Sequence, residues 1–216
     1  MALTQRFGSL GSYWGNDYYS SDSLTTEQMQ LNARYIYRYF LDKGWTVNAI
    51  AGILGNMQHE SAINPGRWEG NNVLKGPGYG LVQWTPYTNH TNWCTEHSYS
   101  DPSTMDANLA HIMFELENGG QYYATDNYPE SFEEFTKSTK DSYYLACAFA
   151  WNYERSAVVL WGTPEEQEAL RQTRGGSART WYDFLGGVPS TPDKDKKKKK
   201  NKYKFIIFNK RRKMYG

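Results

Sequence analysis

The sequence predicts a mainly α-helical fold, in which a small hairpin or loop forms the floor of a cleft. Three observations support this prediction. Apolar residues recur at helical spacing in several stretches, helix-capping residues precede those stretches, and glycines end them. The length of 216 residues fits one medium-sized domain with an appendage.

Composition divides the chain into an N-terminal arm (residues 1–24), a body (25–187) and a basic linker or tail (188–216). The arm is rich in Gly, Ser, Tyr and Asp, and we predict an irregular structure for it. Charge marks the second boundary, because residues 1–189 carry a net charge of −9 and residues 190–216 one of +10. An acidic body argues against nucleic acid as a partner. The tail fits either a solvated linker or a segment attracted to anionic polymers.

The chain shows neither a signal peptide at its start nor an apolar stretch long enough to span a membrane. It contains two cysteines, Cys94 and Cys147. One disulfide is possible, but a body of this size does not need one, and we expect two free thiols.

The first two helices follow from caps and apolar spacing. Thr25 and Gln28 fit a capping box that opens the first helix, and Gly44 is expected to end it. A second helix is expected over residues 46–61. Glu60 lies at the edge of its apolar face, near the C-terminal end.

The remaining elements are shorter. Weak periodicity and many Gly, Asn and Trp residues over 66–93 predict a loop or short hairpin. Thr163-Pro164-Glu165-Glu166 is a signal for the start of a helix. Further helices are predicted at 104–118, 131–137, 141–152 and 177–185.

Glu60 is the candidate general acid of a glycosidase. Such an acid must hold its proton near neutral pH, and burial against apolar groups raises the pKa of a carboxyl group. The carbonyl groups at a helix C-terminus act in the same direction. Half-buried glutamates at helix ends also serve structural roles, so the position alone leaves both interpretations open.

Three ordered segments strengthen the enzymatic interpretation. Residues 55–65, Gly-Asn-Met-Gln-His-Glu-Ser-Ala-Ile-Asn-Pro, resemble the catalytic-helix motif of goose-type lysozymes and lytic transglycosylases. Residues 80–86, Gly-Leu-Val-Gln-Trp-Thr-Pro, resemble the Gly-Leu-x-Gln segment that lines the sugar cleft in those families. Residues 149–155, Phe-Ala-Trp-Asn-Tyr-Glu-Arg, resemble the later helix whose tyrosine lies near the acid. The Gln-Trp-Thr-Pro and Tyr-Glu-Arg variants resemble the phage tail lysozyme family, over residues 25–187.

This resemblance implies an α-rich, lysozyme-like (α+β) fold and a glycosidase that cuts peptidoglycan between N-acetylmuramic acid and N-acetylglucosamine. It implies a protein of the phage tail that opens the host cell wall, with peptidoglycan and other tail proteins as partners. Neither a metal nor an organic cofactor is expected. Two alternatives remain: a lytic transglycosylase, and a tail component that keeps the fold to bind or build without catalysis.

The resemblance also implies roles for individual residues. Glu60 would protonate the leaving glycosidic oxygen, Gln83 would bind substrate or position water, and Tyr153 would orient the Glu60 carboxyl. Ser61, beside the acid, would contact substrate. Glu69 in the following loop could act as a base.

Three further residues have two interpretations each. Trp84 and Tyr79 could stack on sugar rings or belong to the core. Glu154 could contact substrate or form an ion pair with an arginine that holds the cleft together.

His90, Cys94 and His97 have a spacing that zinc ligands can show, with His111 or Cys147 as a possible fourth ligand. We favour the alternative, a polar segment that happens to contain these residues, and we predict no metal site.

Overall fold

The computed structural model describes residues 4–8, 11–15, 24–71 and 76–186. The predicted basic tail, 188–216, and the boundary before it lie outside the described residues. The strands are β1 (Thr4–Gly8) and β2 (Gly11–Gly15). The helices are α1 (Thr26–Asp42), α2 (Val47–Ser61), α3 (Thr88–Glu96), α4 (Met105–Glu117), α5 (Phe132–Lys137), α6 (Ser142–Phe149), α7 (Ala157–Trp161) and α8 (Pro164–Phe184). The mainly α fold is confirmed.

Side-chain caps start the helices where the sequence predicts them. The Thr25 hydroxyl accepts a hydrogen bond from the Gln28 backbone N–H, and the Gln28 side chain accepts one from Thr25 in return. Thr163 and Glu166 form the same reciprocal pair at the start of α8, with Pro164 in the first helical position. These contacts satisfy backbone N–H groups that have no acceptor within the helix.

Two predicted elements differ from the structure. Helix α8 is continuous over 21 residues, whereas the sequence suggested a helix start at Thr163 and a separate helix at 177–185. Two central glycines weaken the helical pattern, but Gly175 is buried against the Tyr143 ring, and this packing explains the continuity. Helix α3 occupies part of the predicted 66–93 loop. The apolar pattern that predicts a helix is weak there, because the buried face of α3 is aromatic and polar instead of aliphatic.

The N-terminal arm also differs from the irregular structure that we expected. β1 and β2 pair in antiparallel register, with Gly8 opposite Gly11. The glycine-rich composition concealed Phe7, Tyr13 and Trp14, which are residue types that favour strands.

Helix α2 lies at the centre of the core, packed against α6 and α8. Residues 48–57 are all buried, including Asn56, whose amide donates to the Ala146 carbonyl at 2.9 Å. A β-carbon at Gly55 would lie 2.6 Å from the Arg174 carbonyl oxygen, so only glycine lets α8 approach so closely. The two cysteines are buried free thiols, as expected.

The segment after α2 forms a short hairpin, which confirms one of the two forms expected there. The backbone of Tyr79 pairs with Trp68 on one side and with Trp84 on the other. The Tyr79 and Trp84 amides exchange hydrogen bonds of 3.2 and 3.0 Å, which closes the turn Gly80–Gln83. This turn faces the C-terminal end of α2, because the Ser61 hydroxyl donates to the Leu81 carbonyl at 3.0 Å.

Candidate active site

Glu60 lies in the last turn of α2, beside an abrupt change in chain direction. Ala62 and Ile63 both have left-handed backbone conformations, with φ values of 53° and 54°, and they turn the chain away from the helix axis. The Glu60 side chain is 19 % exposed and lines a cleft of about 590 Å³. The predicted position at the edge of the buried face is therefore confirmed.

An arginine that sequence reasoning missed holds the Glu60 carboxyl. Arg174 Nη2 lies 2.5 Å from Glu60 Oε1, and Nη1 donates to the Asn56 carbonyl at 2.7 Å. Arg174 follows 114 residues after Glu60 and belongs to no recognisable motif. An available signal was Gly55 in the interior of α2, since a glycine inside a helix indicates the close approach of another element.

A second carboxyl group, Glu154, lines the same cleft. It is the last residue of a π-helical turn, Ala150–Glu154, that continues α6. Its Oε1 atom is buried without a hydrogen-bond partner among the described residues. Burial raises the pKa of Glu154 well above its ordinary value, and the charge of Glu60 adds to this effect, while Arg174 opposes it. One of its two interpretations was an ion pair with an arginine, but among the described residues no arginine forms a direct ion pair with Glu154.

Tyr153 orients a different acid from the one expected. Its hydroxyl donates to Glu115 and not to Glu60, because the π-helical turn directs the buried ring towards α4. Trp84 Nε1 also donates to Glu115, at 3.1 Å. Burial raises the pKa of Glu115 to about 7, although both hydrogen bonds oppose that rise. Glu115 is thus a third acid beside the clefts. Sequence reasoning missed it, because Glu115 lies within the regular helical pattern of α4 and belongs to no motif.

Three oxygen atoms converge beside Gly78. A β-carbon at that position would lie 2.8 Å from Glu69 Oε2, 3.1 Å from Thr85 Oγ1 and 3.2 Å from Gln83 Oε1. Glu69, Thr85 and Gln83 all line the first cleft. Gln83 donates through its amide nitrogen to the Arg67 and Gly80 carbonyls, which leaves Oε1 buried and without a described partner. The arrangement offers three acceptors to a bound water or a substrate N–H or O–H group.

The other predicted site residues support the cleft from inside. Ser61 is fully buried, and its hydroxyl donates to the Met57 and Leu81 carbonyls. Tyr79 is also fully buried, against the Trp68 ring. Trp84 lines a second cleft of about 390 Å³ while stacking on two histidine rings. The structure therefore brings Glu60, Gln83 and Glu154 together in the first cleft and Gln83, Trp84, Tyr153 and Glu154 in the second.

Hydrogen bonds occupy the histidines that had a zinc-like spacing. His90 Nε2 donates to the Pro102 carbonyl at 2.9 Å, so its Nδ1 accepts from His111 Nδ1, also at 2.9 Å. His97 Nδ1 contacts the Trp93 carbonyl. Within residues 24–71 and 76–186, no group of three or more suitable side chains could hold a metal ion. None of the described helices is long and apolar enough to cross a membrane.

Comparison with known proteins identifies the family to which this chain belongs. The family model described as phage tail lysozyme matches residues 31–185. The chain is also 43% identical over 179 residues to morphogenesis protein 1 of Bacillus phage B103. That match covers 81% of this chain and 45% of the phage protein, so the chain spans about half the length of this relative. The matched region contains both clefts and every acid described above, and the chain belongs to the phage tail lysozyme family.

Proposed function

We propose that this chain is a peptidoglycan glycosidase, with Glu60 as the acid that protonates the leaving oxygen. The bond cut lies between N-acetylmuramic acid and N-acetylglucosamine. The observation that carries the proposal is the placement of Glu60 in the cleft wall, held by Arg174 and accompanied by a second buried carboxyl, Glu154. Membership of the phage tail lysozyme family supports the same reaction class.

The surroundings of Glu60 suit a proton donor with a fixed direction. Burial and the charge of Glu60 raise the pKa of Glu154 well above its ordinary value, so Glu154 stays protonated and adds no negative charge to the cleft. Arg174 fixes the Glu60 carboxyl in one orientation. A glycosidic oxygen bound in the cleft accepts the proton from the protonated form of Glu60. General acid catalysis needs a proton donor held in this way.

The oxygen cluster at Gly78 provides a place for the attacking water. Glu69 accepts a proton from that water, while Gln83 and Thr85 orient it through hydrogen bonds. A base and an acid in one cleft are the groups that direct hydrolysis requires. Trp84 contacts the sugar chain from the second cleft, and Tyr79 and Ser61 act beneath the surface, where they hold the hairpin that carries Gln83.

Membership of the same family supports the proposed partners and location. The substrate is the peptidoglycan of the host wall, and the protein acts as part of a phage tail, in contact with other tail proteins. A body at 25–187 and a separate basic tail at 188–216 remain part of this proposal.

Glu60→Gln tests the assignment directly. The change keeps size and hydrogen bonding but removes the transferable proton, so lysis of purified cell walls should fall by roughly 100-fold or more. Glu96→Gln is the matched control, because Glu96 is also at the C-terminal end of a helix but is exposed and outside both clefts. Turbidity of a wall suspension gives the rate. Wall lysis by Glu60→Gln at the control rate would overturn the proposal.

The products distinguish hydrolysis from transglycosylation. Hydrolysis leaves a reducing muramic acid end, whereas transglycosylation leaves a 1,6-anhydro ring and a product lighter by one water. The Gly78 oxygen cluster favours hydrolysis, and mass spectrometry of a wall digest should show reducing ends. A digest of anhydro products would instead assign the transglycosylase.

An assembly role is the second candidate, because the similar protein of phage B103 is named a morphogenesis protein. That role needs the fold but not the acid. Wall lysis by the wild-type chain that is lost in Glu60→Gln would favour the enzyme over a purely structural component.

A further inference from the structure

Arg155 is a positive charge without a partner in the wall of the second cleft. Its Nε atom is buried and has no hydrogen-bond partner, and its guanidinium forms no ion pair within the described residues. By contrast, Arg171, Arg174 and Arg179 each contact a carboxylate. A buried N–H group that leaves water without a new acceptor costs stability, so an arginine kept in this state indicates a missing acceptor.

The backbone and one aromatic ring hold this guanidinium in place. Arg155 has a left-handed conformation, with φ at 47°, and its backbone N–H closes the π-helical turn by donating to Ala150 at 2.9 Å. The guanidinium carbon lies 4.4 Å from the centre of the Tyr123 ring. The Tyr123 backbone N–H donates to the Asn152 carbonyl, which ties the ring to the same turn. A guanidinium stacked on a ring keeps its edge N–H groups free for a planar anion.

The charge of the second cleft favours an anion. Its ionisable lining residues are Glu115 and Glu154, the Tyr153 phenol and Arg155. Burial raises the pKa of Glu115 to about 7 and that of Glu154 well above its ordinary value, and Tyr153 is neutral in this range because its pKa is raised as well. In mildly acidic solution the arginine is therefore the dominant charge of the cleft.

The two clefts are adjacent, because Gln83, Thr85 and Glu154 line both of them. A glycan chain bound at Glu60 can therefore extend a substituent towards Arg155. Carboxylates are the anions that a guanidinium fork binds through two parallel hydrogen bonds. Peptidoglycan carries them on the stem peptide and, in muramic acid units without a peptide, on the lactyl group through which the peptide is otherwise joined.

We infer that the second cleft is a subsite for a carboxylate-bearing substituent of the glycan, with Arg155 as the binding residue. The inference rests on the proposed function, because it takes the peptidoglycan chain as the ligand. It adds a determinant of specificity, since neutral amino-sugar chains lack the group that Arg155 binds.

Direct binding measurements on the full chain test this subsite. Glu60→Gln serves as the background, so that ligands stay intact during calorimetry. The three ligands are a neutral N-acetylglucosamine tetramer, an alternating N-acetylglucosamine–N-acetylmuramic acid tetramer with free lactyl carboxylates, and the same tetramer with stem peptides. Arg155→Gln should weaken binding of a carboxylate-bearing ligand by roughly tenfold or more. Affinity for the neutral tetramer should not change.

Arg179→Gln is the matched control, because Arg179 also lies over a tyrosine ring, at 4.7 Å from the Tyr143 centre, but outside both clefts. Weaker binding of the peptide-free ligand alone assigns the lactyl group, weaker binding of the peptide-bearing ligand alone assigns the stem, and weaker binding of both means that the subsite accepts a carboxylate from either source. Arg155→Lys should recover part of the affinity. Equal affinities of Arg155→Gln and Arg179→Gln for the carboxylate ligands, or an equal loss for the neutral tetramer, would overturn the subsite.

The outcomes separate this inference from the proposed function. Carboxylate binding that depends on Arg155, in a wild-type chain that leaves walls uncut, would overturn the glycosidase assignment alone. Wall cutting by the wild-type chain, with ligand affinities that do not change in Arg155→Gln, would overturn the subsite alone.

Discussion

At the scale of single residues, the orientation of Glu60 depends on Arg174. The two side chains are 19 % and 12 % exposed, so water screens their interaction only in part. The same guanidinium fixes the Asn56 carbonyl near the end of α2. One side chain on α8 therefore holds both the acid and the helix end that carries it.

Arg174→Gln should lower the free energy of unfolding by about 2 to 3 kcal/mol, since it leaves a largely buried carboxylate without its partner. Arg171→Gln, on the same helix, should cost less than about 1 kcal/mol, because its pair with Glu168 is longer and more exposed. Urea unfolding of both variants measures the difference. Equal losses would mean that the Glu60 pair contributes no more than a surface contact.

Residue patterns predicted the position of the candidate acid at the edge of a buried face, but not the residues that surround it. Glu60, Gln83, Tyr153 and Glu154 belong to contiguous motifs, and the structure brings them to the clefts. Arg174 and Glu115 lie on other helices, at positions that only the tertiary packing defines. The prediction that Tyr153 orients Glu60 was wrong because the π-helical turn changes the direction of its ring, and helical periodicity does not predict such a turn.

At the scale of elements, the packing of α8 against α6 and α2 depends on glycine. A β-carbon at Gly175 would lie 2.2 Å from the Tyr143 ring, whereas one at Gly176 would have no heavy atom within 4 Å. These two glycines directly precede the separate helix that the sequence predicted at 177–185. The contact between α8 and α6 makes one of them a requirement for close packing.

Gly175→Ala and Gly176→Ala should therefore shift stability in opposite directions. The first should lower the free energy of unfolding by about 1 to 3 kcal/mol through overpacking. The second should raise it by about 0.5 to 1 kcal/mol, because alanine is the better helix former and the site has room. Chemical denaturation of the two variants beside the wild type provides the test. Shifts of the same sign would contradict the close contact with α6.

At the scale of the whole molecule, buried ionisable groups set the pH range of stability. Burial lowers the pKa of His90 to about 4 and that of His111 to about 3, while Glu115 and Glu154 have raised pKa values. The contribution of these two histidines to the free energy of unfolding is present above the ordinary histidine pKa of 6.5. It is lost as the pH falls through their lowered pKa values. The carboxyl contribution is present below the ordinary glutamate pKa of 4.5 and is lost as the pH rises through the raised values.

Because the histidine and carboxyl contributions change with pH in opposite directions, the free energy of unfolding should be highest between about pH 4.5 and 6.5. Glu115→Gln should reduce the loss on the alkaline side, by at most about 3 kcal/mol, since each pKa unit corresponds to about 1.4 kcal/mol. Unfolding in urea at pH 5, 6, 7 and 8 measures the slope, with Glu117→Gln as a control on the same helix. An unchanged slope in Glu115→Gln would show that this acid titrates normally.

The position of Arg174 in the sequence also determines when Glu60 gains its partner during synthesis of the chain. A ribosome adds residues from the N-terminus, and Glu60 emerges long before Arg174 does. Until α8 follows, α2 lacks both its guanidinium partner and one of the helices that pack against it. Glu60 therefore gains its arginine partner only after α8 has been synthesised, so chains that end before α8 lack the contact that orients the candidate acid.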